Sequence, residues 1–225
     1  MISKIVPVIH MIDKEQVFYN IDICLKNKLD FIFLINHNYK IDSTKELTDI
    51  FYLIKEKYHT LKVGVNFLQL DTLEAVFYAN NMITIPDAIW CDNGYAEDIK
   101  KMEEIKIANI NNILYFGGVD FKYQKVVPYD KLEETCKNAL NYIDVITTSG
   151  KRTGFAAKIT KIIQIRNYIG NNKMAIASGI NEDNIGEFNK FTDYLLVASS
   201  ITNSLELINE KKLKNLINGN FQRMV

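Results

Sequence analysis

A regular alternation of short apolar runs with longer amphipathic segments constrains the fold of this chain more than any other sequence feature. Eight β-branched or aromatic runs of strand length occur, at residues 5–9, 31–35, 63–67, 88–91, 113–116, 145–148, 174–177 and 194–198. Each is followed by a segment with helical periodicity, at residues 14–26, 43–57, 71–81, 96–108, 129–141, 156–169, 182–190 and 204–217. The sequence therefore predicts eight consecutive βα units.

The composition of the runs favours a parallel sheet covered by helices. Several runs are apolar on both faces, as expected of strands that are buried on both sides. Ten glycines and three prolines form no linker-like tract, so residues 1–225 are predicted to be a single domain. Eight units of even size in 225 residues suit a single (β/α)8 TIM barrel of the α/β class. A doubly wound open sheet is the structural alternative.

Charge and cysteine usage exclude several classes of function. The 27 basic residues balance 27 acidic ones, so no strong field favours binding to nucleic acid or to an anionic membrane. The three cysteines have no CxxC or other ligand spacing, which argues against a disulfide framework and a zinc site. No run reaches the roughly 20 apolar residues of a membrane span, and no signal peptide is recognisable. We expect a cytoplasmic protein with no nucleic-acid or membrane partner.

The loops after the last three strands are rich in small residues. In a parallel barrel the active site forms at the carboxyl ends of the strands, and the loops after strands seven and eight commonly bind phosphate. Glycine and serine there allow backbone N–H groups to approach an anion closely. The predicted ligand-binding residues of these loops are Thr153, Gly154, Ser178, Gly179, Ser199 and Ser200. The alternative interpretation is that tight βα turns simply need small residues.

Two residues after the fifth run are candidates for catalysis. Asp120 and Lys122 alternate about Phe121, so both would project to one side if strand five continued that far. A carboxylate beside an ammonium is a plausible acid/base pair, but it is also the commonest kind of surface ion pair. Lys122 has two further possible roles, as a phosphate contact or as a lysine that forms a Schiff base.

Further polar residues follow the first four runs. His10, His37, Asn66 and Asp92 are each placed where a strand would open into the barrel mouth. His10 and Asp92 are added to the catalytic candidates, and Asn66 to the ligand-binding ones. The two histidines and the aspartates could in principle bind a metal, but no local ligand spacing supports this. Neither a metal nor a cofactor is predicted.

Four segments of the chain carry motifs known from one family of barrels. The segment at residues 63–68 is similar to a Gly-Val-Asn-Val-Leu motif, and residues 120–123 are similar to a strand-five motif ending in lysine. Residues 144–154 are similar to an Asp-Ala-Val-Ile-Val-Thr-Gly-x-x-Thr-Gly segment, and residues 177–180 to a Gly-Ser-Gly-Val segment, with similarity continuing to about residue 201. In these motifs the chain resembles the BtpA-like family of TIM barrels, which are similar in turn to phosphoribosylanthranilate isomerase-like barrels.

The resemblance implies a TIM barrel that binds a phosphorylated sugar, nucleotide or nucleoside-like ligand. It carries over to Asn66, Asp120, Lys122, Thr153, Gly154, Ser178, Gly179, Ser199 and Ser200. Two motifs depart from the family. The loop after the first run lacks the Leu-Pro-Gly sequence and leads almost directly into the helix, and the segment at residues 35–38 lacks the expected acid. The loop after the fourth run is also short.

These observations predict an enzyme that acts on a phosphorylated small metabolite, with proton transfer in an isomerase or lyase reaction as the expected chemistry. Asp120, paired with Asp92 or His10, would supply the acid and the base. A noncatalytic barrel that binds a ligand and serves in regulation or assembly is the alternative, and the shortened loops favour it. The oligomeric state is left open by the sequence.

Overall fold

The computed structural model of the protein describes residues 3–38 and 42–222. Its strands are β1 (Lys4–His10), β2 (Phe31–Ile35), β3 (Lys62–Asn66), β4 (Ala88–Cys91), β5 (Leu114–Gly118), β6 (Val145–Thr148), β7 (Lys173–Ile176) and β8 (Tyr194–Val197). The helices are α1 (Lys14–Lys26), α2 (Ser43–Lys57), α3 (Thr72–Asn80), α4 (Ile99–Ala108), α5 (Leu132–Ala139), α6 (Ile159–Ile169), α7 (Ile185–Phe188) and α8 (Glu210–Gln222). The strands pair in parallel in chain order, and β8 closes on β1. The predicted (β/α)8 barrel is confirmed.

The last two helices differ from the predicted segments because asparagine side chains form turns ahead of them. The Asn203 side chain accepts hydrogen bonds from the backbone N–H groups of Leu205 and Leu207, at 2.9 and 3.1 Å. These bonds compete with helix formation, so α8 begins only at Glu210, after Asn209 accepts a capping bond from Lys212 N. The Asn181 side chain delays α7 in the same way by accepting from residues 183 and 184.

Large aromatic side chains fill the interior of the barrel. Phe33 and Phe116 are fully buried there, with ring centroids 5.0 Å apart, and Trp90 lies 5.8 Å from Phe33. Gly64 provides the space for Phe33, since a Cβ at position 64 would lie only 2.3 Å from Phe33 Cε1. The interior is therefore a packed core that closes the barrel below its mouth.

A second and larger apolar core lies between the strands and the helices. It is formed by outward-facing strand residues such as Val63 and Ile146 and by the inner faces of helices, such as Leu47 and Phe51 of α2. Among the described residues, no helix combines the length and apolarity needed to cross a membrane. The alternation of inward and outward residues along each strand decides which side chains reach the barrel mouth.

Candidate functional site

A cavity of about 390 Å³ opens at the carboxyl ends of the strands. Small residues of the loops after β6, β7 and β8 form one wall, and residues of β1, β4 and the loop after β5 form the other. Eight of the predicted site residues line this cavity: His10, Lys122, Thr153, Gly154, Ser178, Gly179, Ser199 and Ser200. The volume lies in the range typical of pockets for small molecules.

Two other predicted residues line a neighbouring cavity of about 260 Å³. Asn66 ends β3 and Asp92 directly follows β4, so both lie at the carboxyl ends of neighbouring strands. Asn66 Nδ2 lies 3.4 Å from Asp92 Oδ1. This second cavity is more polar than the first and also contains Asp71 and Tyr95, whose side chains hydrogen-bond to each other.

Gly179 determines the shape of the wall formed by the loop after β7. Its φ of +68° lies in the left-handed region, and a Cβ at this position would lie 2.0 Å from the backbone nitrogen of Ala156. The loop after β6 therefore packs directly against the glycine backbone. Ser178 stabilises the contact between the two loops, because its hydroxyl accepts a hydrogen bond from Gly150 N at 3.1 Å and donates one to Phe155 O at 3.0 Å. Ser178 thus holds the two loops together.

Several polar groups on the wall formed by the loops after β7 and β8 have no hydrogen-bond partner among the described residues. In the described part of the chain, the backbone N–H groups of Gly179, Ile180, Ser199 and Ser200 donate to no protein atom. The Ser200 hydroxyl is buried and has no hydrogen-bond partner there either. Buried polar groups are normally paired, so this wall has an unmet capacity to bind an anion or ordered water.

Asp120 lies outside both cavities, contrary to the expected pairing with Lys122. Strand β5 ends at Gly118, and Asp120 adopts a φ of +46°, which turns its side chain away from the direction that continued strand alternation would give. Its Oδ2 forms an ion pair with Lys161 Nζ at 2.7 Å, and its Oδ1 accepts from Val127 N at 3.3 Å. The carboxylate is thus engaged with α6 and with its own loop.

Lys122 points into the first cavity and forms no ion pair with any described residue. Burial lowers its pKa, and the nearby Asp92 carboxylate only partly offsets this effect. Conversely, burial raises the pKa of Asp92, although the charge of Lys122 and the Asn66 hydrogen bond act against the rise. The pair therefore has an ammonium and a carboxylate whose pKa values are shifted toward each other.

Two histidines complete the mouth near Lys122. The rings of His10 and His37 are in edge contact, with centroids 4.5 Å apart, and His10 Nδ1 lies 3.4 Å from Glu206 Oε2. Burial lowers the pKa of His10, although Glu206 opposes the shift. Burial, together with the nearby His10 and Lys122, lowers the pKa of His37 to about 4. Both rings are neutral near pH 7, where they can act as proton acceptors or hydrogen-bonding groups.

Three residues of this region were absent from the predicted site. Trp90 and Lys212 line the first cavity, and Glu206 contacts His10. The alternation Ala88, Trp90, Asp92 could have placed Trp90 inside the barrel. Glu206 lies on the irregular connection before α8, and Lys212 lies on α8 itself. The helical periodicity of the sequence did not predict the bounds of this helix. Among the described residues, no cluster of three or more His, Cys, Asp or Glu side chains is arranged to hold a metal ion.

The fold and this mouth define the protein as a parallel (β/α)8 barrel with a small-molecule cavity at the carboxyl ends of its strands. The chain belongs to the BtpA family, whose sequence model matches residues 22–220. This confirms the resemblance drawn from its motifs. A search of curated proteins gives no match to the sequence.

Solved structures of other barrels superpose over almost the whole chain. Orotidine 5′-monophosphate decarboxylase from Methanocaldococcus jannaschii has a TM-score of 0.69 and 16% identity, covering 97% of this chain and 100% of that chain. The 2-keto-3-deoxy-6-phosphogluconate aldolase from Zymomonas mobilis has a TM-score of 0.65 and 8% identity, covering 98% and 93%. Phosphoribosyl anthranilate isomerase from Thermus thermophilus has a TM-score of 0.63 and 12% identity, covering 95% and 96%. These similarities show a shared fold.

Proposed function

We propose that this protein is an enzyme that binds a small phosphorylated metabolite and catalyses a proton-transfer isomerase or lyase reaction on it. The observation that carries the proposal is the set of unpaired N–H groups and the unpaired Ser200 hydroxyl on the wall formed by the loops after β7 and β8. A phosphate group would accept hydrogen bonds from these donors.

The names of similar barrels support this assignment. The decarboxylase, the aldolase and the isomerase described above are all named for phosphorylated compounds. Two lysines, Lys122 and Lys212, line the same cavity, and their positive charges would complement the negative charge of the ligand. Thr153 and Gly154 lie on the loop after β6 and would contact the ligand beside the phosphate.

The proposed catalytic groups are Lys122, Asp92 and His10. Each lies at the barrel mouth, and each has a pKa shifted toward neutrality or below by burial, as expected for groups that exchange protons with a substrate. Asp120 has no place in this set, because its carboxylate is paired with Lys161. A cytoplasmic setting remains part of the proposal, supported by three buried cysteines that are all free thiols.

The binding part of the proposal is tested by titrating inorganic phosphate, glycerol 3-phosphate and ribose 5-phosphate, with glycerol and ribose as uncharged references. A ligand that binds only the folded state raises the midpoint of thermal unfolding. We expect a rise with the phosphorylated compounds alone. The variant Ser199→Asp places a carboxylate at an exposed position that lines the cavity, and it should abolish the rise because the carboxylate and the phosphate repel each other. Ser204→Asp, which is also exposed and lies in the same connection but outside the cavity, should retain it.

A protein that binds the metabolite without turnover is the second candidate. The observation in its favour is the engagement of Asp120, which removes one of the expected acid/base groups from the mouth. Incubation of sugar phosphates with the protein in D2O distinguishes the two candidates, since an enzyme with a working acid/base pair exchanges a carbon-bound proton of its ligand. Binding without exchange or conversion of any phosphorylated ligand would favour the second candidate.

A further inference from the structure

Three lysines lie around the connection between β5 and α6, and Lys122 differs from the other two. Lys161 is paired with Asp120 at 2.7 Å, and Lys125 is paired with Glu97 at 2.8 Å. Lys122 lies between residues 120 and 125 in the chain, yet it has no ion-pair partner among the described residues. Its amine is therefore the unneutralised one of the three, and it is the one that lines the main cavity.

The surroundings of Lys122 disfavour its charged form. The apolar side chains of Trp90, Val8 and Leu196 line the same cavity. Burial among such groups removes water from the ammonium and lowers its pKa. A lysine amine with a lowered pKa is a better nucleophile near neutral pH, because a larger fraction is unprotonated.

The position of Lys122 relative to the anion wall restricts the kind of molecule that can reach it. The wall lies on the loops after β7 and β8, whereas Lys122 lies on the loop after β5 and enters the cavity from a different side. A cavity of about 390 Å³ accommodates a molecule with a phosphate at the wall and a short carbon chain extending toward the amine. The geometry thus presents a nucleophile to the carbon skeleton and leaves the phosphate to the wall.

We propose that Lys122 forms a Schiff base with the carbonyl carbon of a short phosphorylated aldehyde or ketone. This rests on the proposed function, because it assigns the substrate class of the same phosphate-binding cavity. The ammonium first loses one proton to Asp92, and the amine then attacks the carbonyl carbon to form a carbinolamine. The C–O bond breaks as the oxygen leaves as water, and the nitrogen remains bonded to carbon as an iminium. One lysine ammonium and one carbonyl compound thus give one iminium and one water.

His10 and Asp92 are suited to move the protons of this reaction. Asp92 directly follows β4, close enough to Lys122 for the two charges to act on each other's pKa, and burial raises the pKa of Asp92, so that it can accept the amine proton and return it to the departing oxygen. His10 ends β1 and lines the same cavity as Lys122, and Glu206 Oε2 lies 3.4 Å from His10 Nδ1. His37 contacts His10 from the loop after β2. The iminium withdraws electrons from the adjacent carbon, which is the requirement for a proton-transfer or carbon–carbon cleavage step.

Reductive trapping tests the proposal directly. The full chain is incubated with dihydroxyacetone phosphate and reduced with sodium borohydride, and the product is measured by intact mass and peptide mapping. We expect one reduced three-carbon phosphate per chain, located on Lys122 and absent from the Lys122→Arg variant. The matched variant Lys125→Arg, which changes an exposed lysine of the same loop, should trap as much as the unmodified chain. Glycerol 3-phosphate has the phosphate without the carbonyl, so it should bind, form no adduct, and compete with trapping.

Binding measurements separate failure of this proposal from failure of the proposed function. If dihydroxyacetone phosphate and glycerol 3-phosphate both raise the thermal midpoint and Lys122 carries no adduct, the Schiff-base proposal is overturned and phosphate binding stands. Adducts spread over exposed lysines, with Lys125 labelled as strongly as Lys122, overturn it equally. If neither compound binds, the proposed function fails and the Schiff base fails with it. A thermal shift of Lys122→Arg with inorganic phosphate shows that the variant is folded.

Discussion

Lys161 Nζ reaches across from α6 to lie 2.7 Å from Asp120 Oδ2, and it also donates to the backbone carbonyls of Asp120 and Ser149. One ammonium therefore links the loop after β5 to the loop after β6. Both side chains are about 80% buried, with 20% and 21% of their side-chain surface exposed. The pair therefore holds the two loops in place but does not line the cavity.

We predict that Asp120→Asn and Lys161→Met each lower the free energy of unfolding by about 1–3 kcal/mol, because each leaves a partly buried partner unpaired. Phosphate affinity of the folded Asp120→Asn variant should stay within about threefold of the unmodified protein, because the Asp120 side chain lies outside the cavity. Urea denaturation and phosphate titration measure the two quantities.

The exposed pair Lys137 and Glu133 is the control for this effect. Its side chains are 59% and 53% exposed, and Lys137→Met should change stability by less than about 0.5 kcal/mol. A loss of stability in Lys137→Met equal to that in Lys161→Met would contradict the buried-pair explanation. Loss of phosphate binding in a folded Asp120→Asn would return this carboxylate to the ligand site.

The position of Asp120 also illustrates what the sequence could and could not predict. Eight apolar runs with helical segments between them were sufficient for the barrel, because closing eight parallel βα units in chain order leaves few other arrangements. The same rule gathered Lys122, Ser199 and Gly179 at one mouth, since parallel strands end on one side. Side-chain direction beyond a strand end is a different matter. It depends on single dihedral angles, and the φ of +46° at Asp120 has no periodic signature.

The lowered pKa of His37 predicts a pH dependence of stability. The pKa of His37 is lowered from 6.5 in the unfolded chain to about 4 in the folded protein, through burial and the nearby His10 and Lys122. Between these values the unfolded state binds more protons, so protonation favours unfolding. The stability that depends on a neutral His37 is fully present above pH 6.5, and the free energy of unfolding decreases as the pH falls from there toward 4. Free energies of unfolding from urea titrations between pH 8 and pH 4 should show this decline.

The variant His37→Asn isolates the contribution of that ring. It cannot take up the proton, so its stability should fall less steeply than that of the unmodified protein between pH 6.5 and about 4. The comparison at pH 8 is the control, because both forms are uncharged at this position there and any difference reports the lost ring contact with His10. Parallel curves over the whole range would show that His37 is not the titrating group.

The contact between Gly64 and Phe33 predicts an overpacking effect inside the barrel. A methyl group at position 64 would lie 2.3 Å from Phe33 Cε1, and Phe33 is fully buried, so the ring must move. Gly64→Ala should lower the free energy of unfolding by about 1–3 kcal/mol. Phe33→Leu leaves a smaller side chain there, and the double variant should be more stable than the sum of the two single effects predicts. Strict additivity in urea denaturation would show that the two positions do not compete for space.

The Ser200 hydroxyl predicts a separation between stability and binding. It is buried and has no partner among the described residues, so Ser200→Ala removes an unsatisfied group and should leave the stability of the ligand-free protein unchanged or slightly raised. Phosphate binding should weaken by about tenfold, because a hydrogen bond to a charged acceptor is lost. Calorimetric titration with inorganic phosphate measures the affinity, and thermal unfolding without ligand measures the stability. Ser43→Ala is the matched control, since the Ser43 hydroxyl at the start of α2 is also buried and has no partner within residues 3–38 and 42–222, but it lies outside the cavity. If both variants bind phosphate as tightly as the unmodified protein, Ser200 takes no part in holding the anion.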